Sequence, residues 1–549
     1  MTNRIARIIA VMFFMHFLAE GNIYGQNLQL ESGNKVSTIE HVRTNDISIV
    51  DSAFSFGYTI NIVHENFNNK TYKAIHIQSA SNNVYVGNSQ ERFSLWMRDL
   101  YWGFLGWSQA GDDSVLEVMK SSLQLMLVAK NKNQAIGENE VWPLNDGRFY
   151  IPQAFDKGIK PSYYAWPWCS ESQADFLLMA YNYWQLSGDI DFIESIWNEI
   201  KYITETLQLL DTNRNSLPDA LQGTYDYSWI SMDTEEPLMC AKTSKAYSCV
   251  AELARLLNEN NYADELDELA NEIKETMNKN IEEGGLWKDD ELGGYYVYMR
   301  RYTSDETPKQ NEAMFNNICT PEECCAWRIK NINQIKDNFI PFENLIPIFL
   351  GMTSEKQNEA IFKHLDSDFK KYYDLPYGPM YCAPVVHNEK TEVDFSSVTW
   401  LAFLDIYLRS KTGHSKNKAK IYELLIKHAY DAGGIPFSEG IGVWGYLTGG
   451  AGRSWDNGNF FHMLVCGIYG LEKSKDGILI TSPAKIEGVP LTELNNFKWR
   501  DAVYNFSWQG DGSNIKKVTV NGKEIKSAED GLYKLVDRKG NYNVEVFLY

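Results

Sequence analysis

Between residues 90 and 472, apolar residues recur at helical spacing in pairs of segments separated by very short turns, and this pairing limits the fold more than any other feature. Residues 93–109 and 113–130 are joined across Gly111-Asp112, 171–186 and 189–210 across Gly188-Asp189, and 239–257 and 261–281 across an Asn-rich turn. Two more pairs follow, 341–351 with 354–366 across Met352-Thr353 and 396–411 with 416–430 across Gly413; a last helix spans 457–471. The connections between pairs are long instead: 131–170, 211–238, 282–340, 367–395 and 431–456. Repeated helical hairpins with all long connections at one end predict a mainly α chain, an (α/α)6 toroid over 90–472 whose loops surround one central cleft. Within residues 90–472 those loops hold most of the Trp, Gly and Pro, and long ordered loops tend to carry function.

On either side of the toroid the period changes to two. Residues 26–89 alternate in short runs (56–63, then 72–77), an N-terminal β lead-in. Residues 473–549 read as a small C-terminal β-sheet domain, with strands at 477–480, 498–508, 515–520 and 543–549 and an Asn521-Gly522 hairpin turn. Arg4 and Arg7, an apolar run from Ile8 to Leu18 and a polar stretch ending at Gly25 form the pattern of a secretory signal over 1–25. The run is too short to span a bilayer, and the first Cys is Cys169, so no lipid anchor is indicated. The expected location is periplasmic or secreted. A net charge of −20 argues against a nucleic-acid partner or an anionic membrane surface. Eight Cys in 549 residues are too sparse for a disulfide framework, and no nucleotide or phosphate cradle appears, so no cofactor is expected.

The residues with chemistry to offer lie at the starts of helices and in the long loops. Trp96-Met97-Arg98-Asp99 opens the first helix; an Arg fork donates and an Asp accepts, which suits sugar hydroxyls as well as a plain ion pair. Trp166 and Trp168 flank a Pro just before Glu171, a stacking wall or buried packing, with Glu171 equally readable as an ordinary first-turn acid. Thr224-Tyr225-Asp226-Tyr227-Ser228-Trp229 sets a carboxyl between rings ahead of an apolar helix. Rings stack on a pyranose, and a desolvated carboxyl holds its proton toward neutral pH. Gly433 to Gly440 ends in a Glu between Ser438 and Gly440, followed by Trp444, Thr448-Gly449-Gly450 and Trp455. Asp211, Asn213, Asn215 and Asp219 sit at the first, third, fifth and ninth positions of a weak calcium-loop pattern, with Ser216 in place of the Gly and Gln222 in place of the final Glu.

Taken together, Trp-x-Arg-Asp at the first inner helix, an aromatic loop before the second and Tyr-Asp-x-x-Trp before the third resemble the six-hairpin glycosidase superfamily. That group holds glucoamylases, trehalases, processing α-glucosidases, bile-acid-type β-glucosidases and disaccharide phosphorylases. Trp499-Arg500-Asp501-Ala502-Val503-Tyr504-Asn505 with Val518 to Gly522 is similar to the tail of the disaccharide phosphorylases. The glucoamylase pattern has a Glu after the Trp, where this chain has Ile230; Thr224-Tyr225-Asp226 matches the β-glucosidase version, in which the Asp is the acid. The resemblance therefore implies Asp226 as general acid, with Asp233, Glu235 and Glu236 as substitutes. It implies Glu439 as general base, and Trp96, Arg98, Asp99, Trp166, Trp168, Glu171, Tyr225, Trp229, Trp444 and Trp455 around an oligosaccharide. The activity expected is that of an exported glycoside hydrolase, exo-acting and inverting. A disaccharide phosphorylase, a polysaccharide lyase and a non-catalytic glycan-binding toroid are the alternatives.

Overall fold

Helices alternate here between two kinds, one buried almost all round and one with a single apolar stripe. The computed structural model describes residues 62–67, 70–75, 95–111, 113–136, 154–156, 160–161, 170–211, 213–220, 234–301, 335–367, 396–422, 438–442, 447–451, 454–484, 486, 493–528, 531–536 and 538–549. Its helices are α1 (Met97–Ala110), α2 (Asp113–Ile136), α3 (Ser170–Ser187), α4 (Ile190–Ser195), α5 (Trp197–Gln208), α6 (Pro237–Leu256), α7 (Asn260–Met277), α8 (Pro341–Phe349), α9 (Glu355–Ser367), α10 (Thr399–Lys411) and α11 (Ser454–His462). In α6, 15 of 20 residues are buried, so this helix must be surrounded. In α7 the buried residues are Ala263, Leu266, Ala270, Ile273 and Met277, one stripe of a helix with water on its other side.

The surrounded helices close a ring. Each of α1, α3, α6, α8, α10 and α11 packs on the next, and α11 packs back on α1. Outside them α2 lies on α1 and α3, α5 on α3 and α6, α7 on α6, and α9 on α8. Ring closure needs very close approach between α1 and α11. A Cβ at Gly106 would stand 1.6 Å from the Gly458 carbonyl oxygen, and one at Gly458 would stand 2.4 Å from that of Gly103. Only glycine permits that contact.

Turns follow from local chemistry. Gly188 takes φ +72° to end α3, and Asp189 Oδ1 accepts from Phe192 N at 3.1 Å to start the next helix. Lys120 Nζ, 2.6 Å from Asp189 Oδ2, ties that turn to α2. The segment 189–210, expected as one helix, is two: the backbone leaves the helical region at Ile196 (φ −116°). The last inner helix continues through Met463–Ile468 as a wider π-helical segment.

Strands also stand where the sequence suggested only loops. Tyr295–Arg301 pairs with Ile335–Phe339, Thr234–Glu235 and Trp287–Lys288. Tyr295, Tyr296, Val297 and Tyr298 are all buried; an aromatic and β-branched run fits a pleated, covered surface, although it sits between helices.

The C-terminal residues form a three-stranded sheet and a five-stranded one, the latter ordered Glu493–Trp499, Ala502–Gln509, Gly540–Leu548, Ile515–Val520, Lys523–Ile525. Asn521 and Gly522 both have positive φ (49° and 76°) in the turn joining the last two, as the Asn-Gly pair requires. The strand Leu471–Ser474 of the three-stranded sheet packs against α1, α3 and the Met463–Ile468 segment. Lys473 N donates to Gln109 Oε1 at 2.6 Å, and Lys475 N donates to Gln185 O at 2.7 Å. Lys473 Nζ donates to Gly111 O, a cation on the negative end of α1. The N-terminal ends of the ring are left at the opposite face. The expected signal over 1–25 lies outside the described residues, and no described helix is long and apolar enough to cross a membrane.

Candidate functional site

Small strands lead directly into the inner helices. Leu95–Trp96 precedes α1, Thr234–Glu235 precedes α6, Ile335–Phe339 precedes α8, Ser396–Val398 precedes α10 and Leu447–Ala451 precedes α11. Cross-links at this end join one helix start to another: Arg98 to Glu171, Leu238 N to Glu343, and Trp400 N to Asp456 Oδ1 at 3.1 Å. The inner helices therefore run parallel, with their N-termini gathered on one rim. Their positive dipole ends favour carboxylates there, and Asp99, Glu171, Glu343 and Asp456 all lie in first turns.

The centre of this end is a dry ion network. Arg98 Nη2 and Nε lie 2.6 and 2.7 Å from Glu171 Oε2. Lys242, six residues into α6, contacts Glu171 Oε1 and stands 2.6 Å from Asp175 Oδ1. Glu171, Asp175 and Lys242 have no exposed surface. The Lys242 ammonium also lies 5.3 Å and 5.2 Å from the ring centroids of Tyr101 and Trp102, adding cation–π attraction. Burial pushes the Asp175 carboxyl up to about 7; Lys242 opposes the rise and Glu171 adds to it.

Beside this network stand two more buried acids. Glu236 and Glu343 are both fully buried. Glu236 occupies the N-cap of α6 without a side-chain capping bond, and Pro237 follows it. The first free amide of α6, Leu238 N, is instead capped in trans by Glu343 Oε2 at 2.7 Å. Burial, then the charge of Glu236, holds the Glu343 carboxyl well above the usual range. Trp400 and Trp455 stack at 5.7 Å and Trp400 meets Trp102 at 5.3 Å, so these rings form the aromatic floor of the ring's core.

Of the residues expected to bind sugar, Arg98, Asp99, Glu171 and Trp455 are buried at this end. Trp96 and Glu439 are strand positions. The strand Ser438–Gly442 pairs with Ser396–Val398 and Leu447–Ala451, which puts the backbone of Glu439 on the rim between the starts of α10 and α11. Asp226, Asp233, Trp166, Trp168, Tyr225, Trp229 and Trp444 lie outside the described residues. The stretch 221–233 that carries Asp226 is closed at its base, where Asp219 pairs with Glu235 and Ala220 with Thr234, next to the start of α6.

That base is locked by Glu235, a fully buried acid. Its Oε2 lies 2.5 Å from Arg300 Nη2, and its Oε1 accepts from Asn213 Nδ2 at 3.1 Å and Asn215 Nδ2 at 2.5 Å. In the calcium-like turn, Asp211 accepts from the backbone of Asn215 and Ser216, both at 2.9 Å. Asn213 and Asn215 accept from Asn215 N and Leu217 N at 3.2 and 2.9 Å. The oxygens of Asp211, Asn213 and Asn215 thus hold the chain's own amides. Among the described residues no group of three or more His, Cys, Asp or Glu is arranged to hold a metal.

Sequence reasoning overlooked Asp175, Lys242 and Glu343. Glu343 and Asp175 look like ordinary helix acids, and Lys242 looks like a solvent-facing residue until the ring is closed around it.

No family model matches the chain, and no curated protein does. Similar solved structures include a bacterial glucoamylase complexed with acarbose, at 16% identity and a TM-score of 0.45 over 68% of this chain and 48% of that one. An uncharacterized conserved protein from Thermus thermophilus is similar at 11% identity and a TM-score of 0.43, over 68% of this chain and 93% of that one. The α-L-rhamnosidase from Dictyoglumus thermophilum matches at 12% identity and a TM-score of 0.43, over 73% of this chain and 36% of that one. This chain thus spans about half the length of the glucoamylase, 48%, and about a third of the rhamnosidase, 36%. At this distance the likeness assigns it no activity.

Proposed function

We propose that the chain is an exported glycoside hydrolase that removes terminal sugars from an oligosaccharide with inversion, Asp226 acting as general acid and Glu439 as general base. The observation that carries this reading is the placement of two backbone segments on one rim. The closed base of the Asp226 stretch stands at α6, and the Glu439 strand stands between α10 and α11, across the ring from it in the order α1, α3, α6, α8, α10, α11. Carboxyls on opposite sides of a cleft suit protonation of the leaving oxygen from one face and activation of water on the other. Inversion asks for a separation of roughly 6.5–9.5 Å, retention for roughly 5–5.5 Å. In this reading Trp96, Arg98, Asp99, Glu171 and Trp455 belong to the sugar site, and Arg98, Asp99, Glu171 and Trp455 lie buried at the same end.

The test is hydrolysis of a panel of aryl glycosides and oligosaccharides without phosphate, by the wild type, Asp226→Asn and Glu439→Gln. Activity on one sugar class, lost in both variants, is the expected result. Turnover that needs added phosphate would favour the phosphorylase reading, and activity untouched by Asp226→Asn would move the acid elsewhere.

A further inference from the structure

Glu235 is one of the carboxyls that the sequence offers in place of Asp226, and its surroundings give it a different task. It is fully buried, one residue before the N-cap of α6. Its Oε2 meets both Nε and Nη2 of Arg300 at 2.5 Å. Its Oε1 accepts from the side-chain amides of Asn213 and Asn215. All four contacts come from donors. A guanidinium has no acceptor, and the oxygen of each asparagine is already taken by a backbone amide. A proton on either oxygen of Glu235 would therefore find no acceptor among these partners. Burial pushes the carboxyl up, and Arg300, Asn215 and Asn213 oppose that.

These partners belong to three elements that meet at the base of the 221–233 stretch. Asn213 and Asn215 stand in the turn that leads to it, where Arg214 and Ser216 take φ +58° and +66°, a left-handed backbone uncommon outside glycine. Asp219 N returns to Leu210 O at 2.9 Å, and Asp219 pairs with Glu235 across the stretch. Arg300 lies opposite Glu235 on one side of its strand and opposite Ile335 on the other. The strand of Ile335 leads into α8, as that of Glu235 leads into α6. One carboxylate thus fastens the entry of the stretch, its exit and the lead-ins of two neighbouring inner helices.

We propose that Glu235 is a positioning residue, an ionised carboxylate that fixes both ends of the 221–233 stretch and so aims the proton donor which that stretch carries. This rests on the reading of the chain as a glycosidase with its acid in that stretch. Glu235 touches neither the substrate nor the reacting atoms, and no proton passes through it. It leaves the list of candidate acids for that reason.

The experiment compares the wild type with Glu235→Ala, Arg300→Met, the double variant and Arg300→Lys, all with native circular dichroism. Each is assayed on two glycosides of the sugar that the panel shows to be hydrolysed. One has a dinitrophenyl leaving group, which departs without a proton, and the other a plain phenyl group, which needs one. Backbone amide exchange over 211–235 is followed by mass spectrometry in the same proteins.

Glu235→Ala and Arg300→Met are each expected to lower kcat about tenfold or more on the phenyl glycoside, as a small misplacement of a catalytic group does. On the dinitrophenyl glycoside the loss stays below about threefold, with KM within about threefold on both. The double variant falls no further than the single ones, because the two residues act as one unit. Arg300→Lys, which keeps a cation beside Glu235, recovers most of the loss. Exchange over 211–235 is faster in every variant but that one.

Equal losses on both glycosides would make Glu235 a support of the fold alone, and unchanged exchange would mean that it does not fasten the stretch; either overturns the proposal. A loss confined to Glu235→Ala, with the upper limb of its pH–rate profile gone and Arg300→Met near wild type, would make Glu235 the acid itself and overturn it too. Leaving-group-dependent losses beside an active Asp226→Asn keep the proposal and move the acid to another residue of the stretch. A wild type that hydrolyses nothing removes the hydrolase reading and the part of Glu235 in turnover, and exchange then decides the fastening by itself.

Discussion

Lys242 Nζ stands 2.6 Å from Asp175 Oδ1, neither side chain has any exposure, and the same ammonium contacts Glu171 one helical turn away. Since Glu171 also holds Arg98 of α1, a single acid joins three inner helices at the rim. Buried charges are tolerated there because the ammonium meets two carboxylates and one of those meets a second cation.

Lys242→Met therefore leaves Glu171 and Asp175 without their shared ammonium. The expected loss is about 3–5 kcal/mol of stability, the usual cost of stripping one partner from a buried ion pair, read as a lower midpoint in urea. A loss too small to resolve would mean that water reaches the network. Arg255→Ala, which breaks exposed contacts to Asp264 and Asp267, should leave the midpoint where it is.

Stability should also bend with pH at two groups of opposite sign. Asp175 has a folded value of about 7 against an ordinary 3.8, so between those values the unfolded chain has released a proton that the fold retains. Its contribution falls as pH rises through that window and is level above it. His462 is pushed down to about 3 from 6.5, by burial first and then by Lys411. Acidification below 6.5 protonates the unfolded chain first, so that contribution falls as pH drops toward 3. Asp175→Asn should flatten the first slope and His462→Gln the second, each read from urea midpoints across roughly pH 4–8.

Gly106→Ala tests ring closure. A Cβ there would meet Gly458 O at 1.6 Å and His462 N at 2.7 Å, so α1 and α11 must separate. Overpacking of this kind costs about 1–3 kcal/mol or more, and backbone atoms cannot turn aside as a side chain can. An unchanged thermal midpoint would contradict the close packing of α1 on α11.

Arg300→Met isolates Glu235 at the base of the 221–233 stretch. Removing the ion partner of a buried acid is expected to cost about 3 kcal/mol or more. Cleavage by a protease within 221–233 should be faster than in the wild type, at a rate followed by mass spectrometry. Equal cleavage would show that the two-residue pairing holds the base without the ion pair.

Much of the architecture was legible in the chain. The inner helices could be found because surrounded helices are apolar round most of their circumference, and the turns because Gly188, Asp189 and the Asn521-Gly522 pair carry their own conformational instructions. The strand Tyr295–Arg301 was missed because a short aromatic run inside a long connection has no periodicity to set it apart. Glu171 was singled out from its place after Trp168, yet nothing local connected it to Arg98 or Lys242, 73 and 71 residues away.

Local properties alone thus specify a ring of helical hairpins with acids at the helix starts, because apolar period, turn residues and first-turn charge can all be read along the chain. Which of those acids are dry, and which share a cation, was settled only in three dimensions. Closing the ring brings α1, α3, α6 and α8 together at one end, and desolvation and pairing depend on neighbours that the chain supplies from far apart.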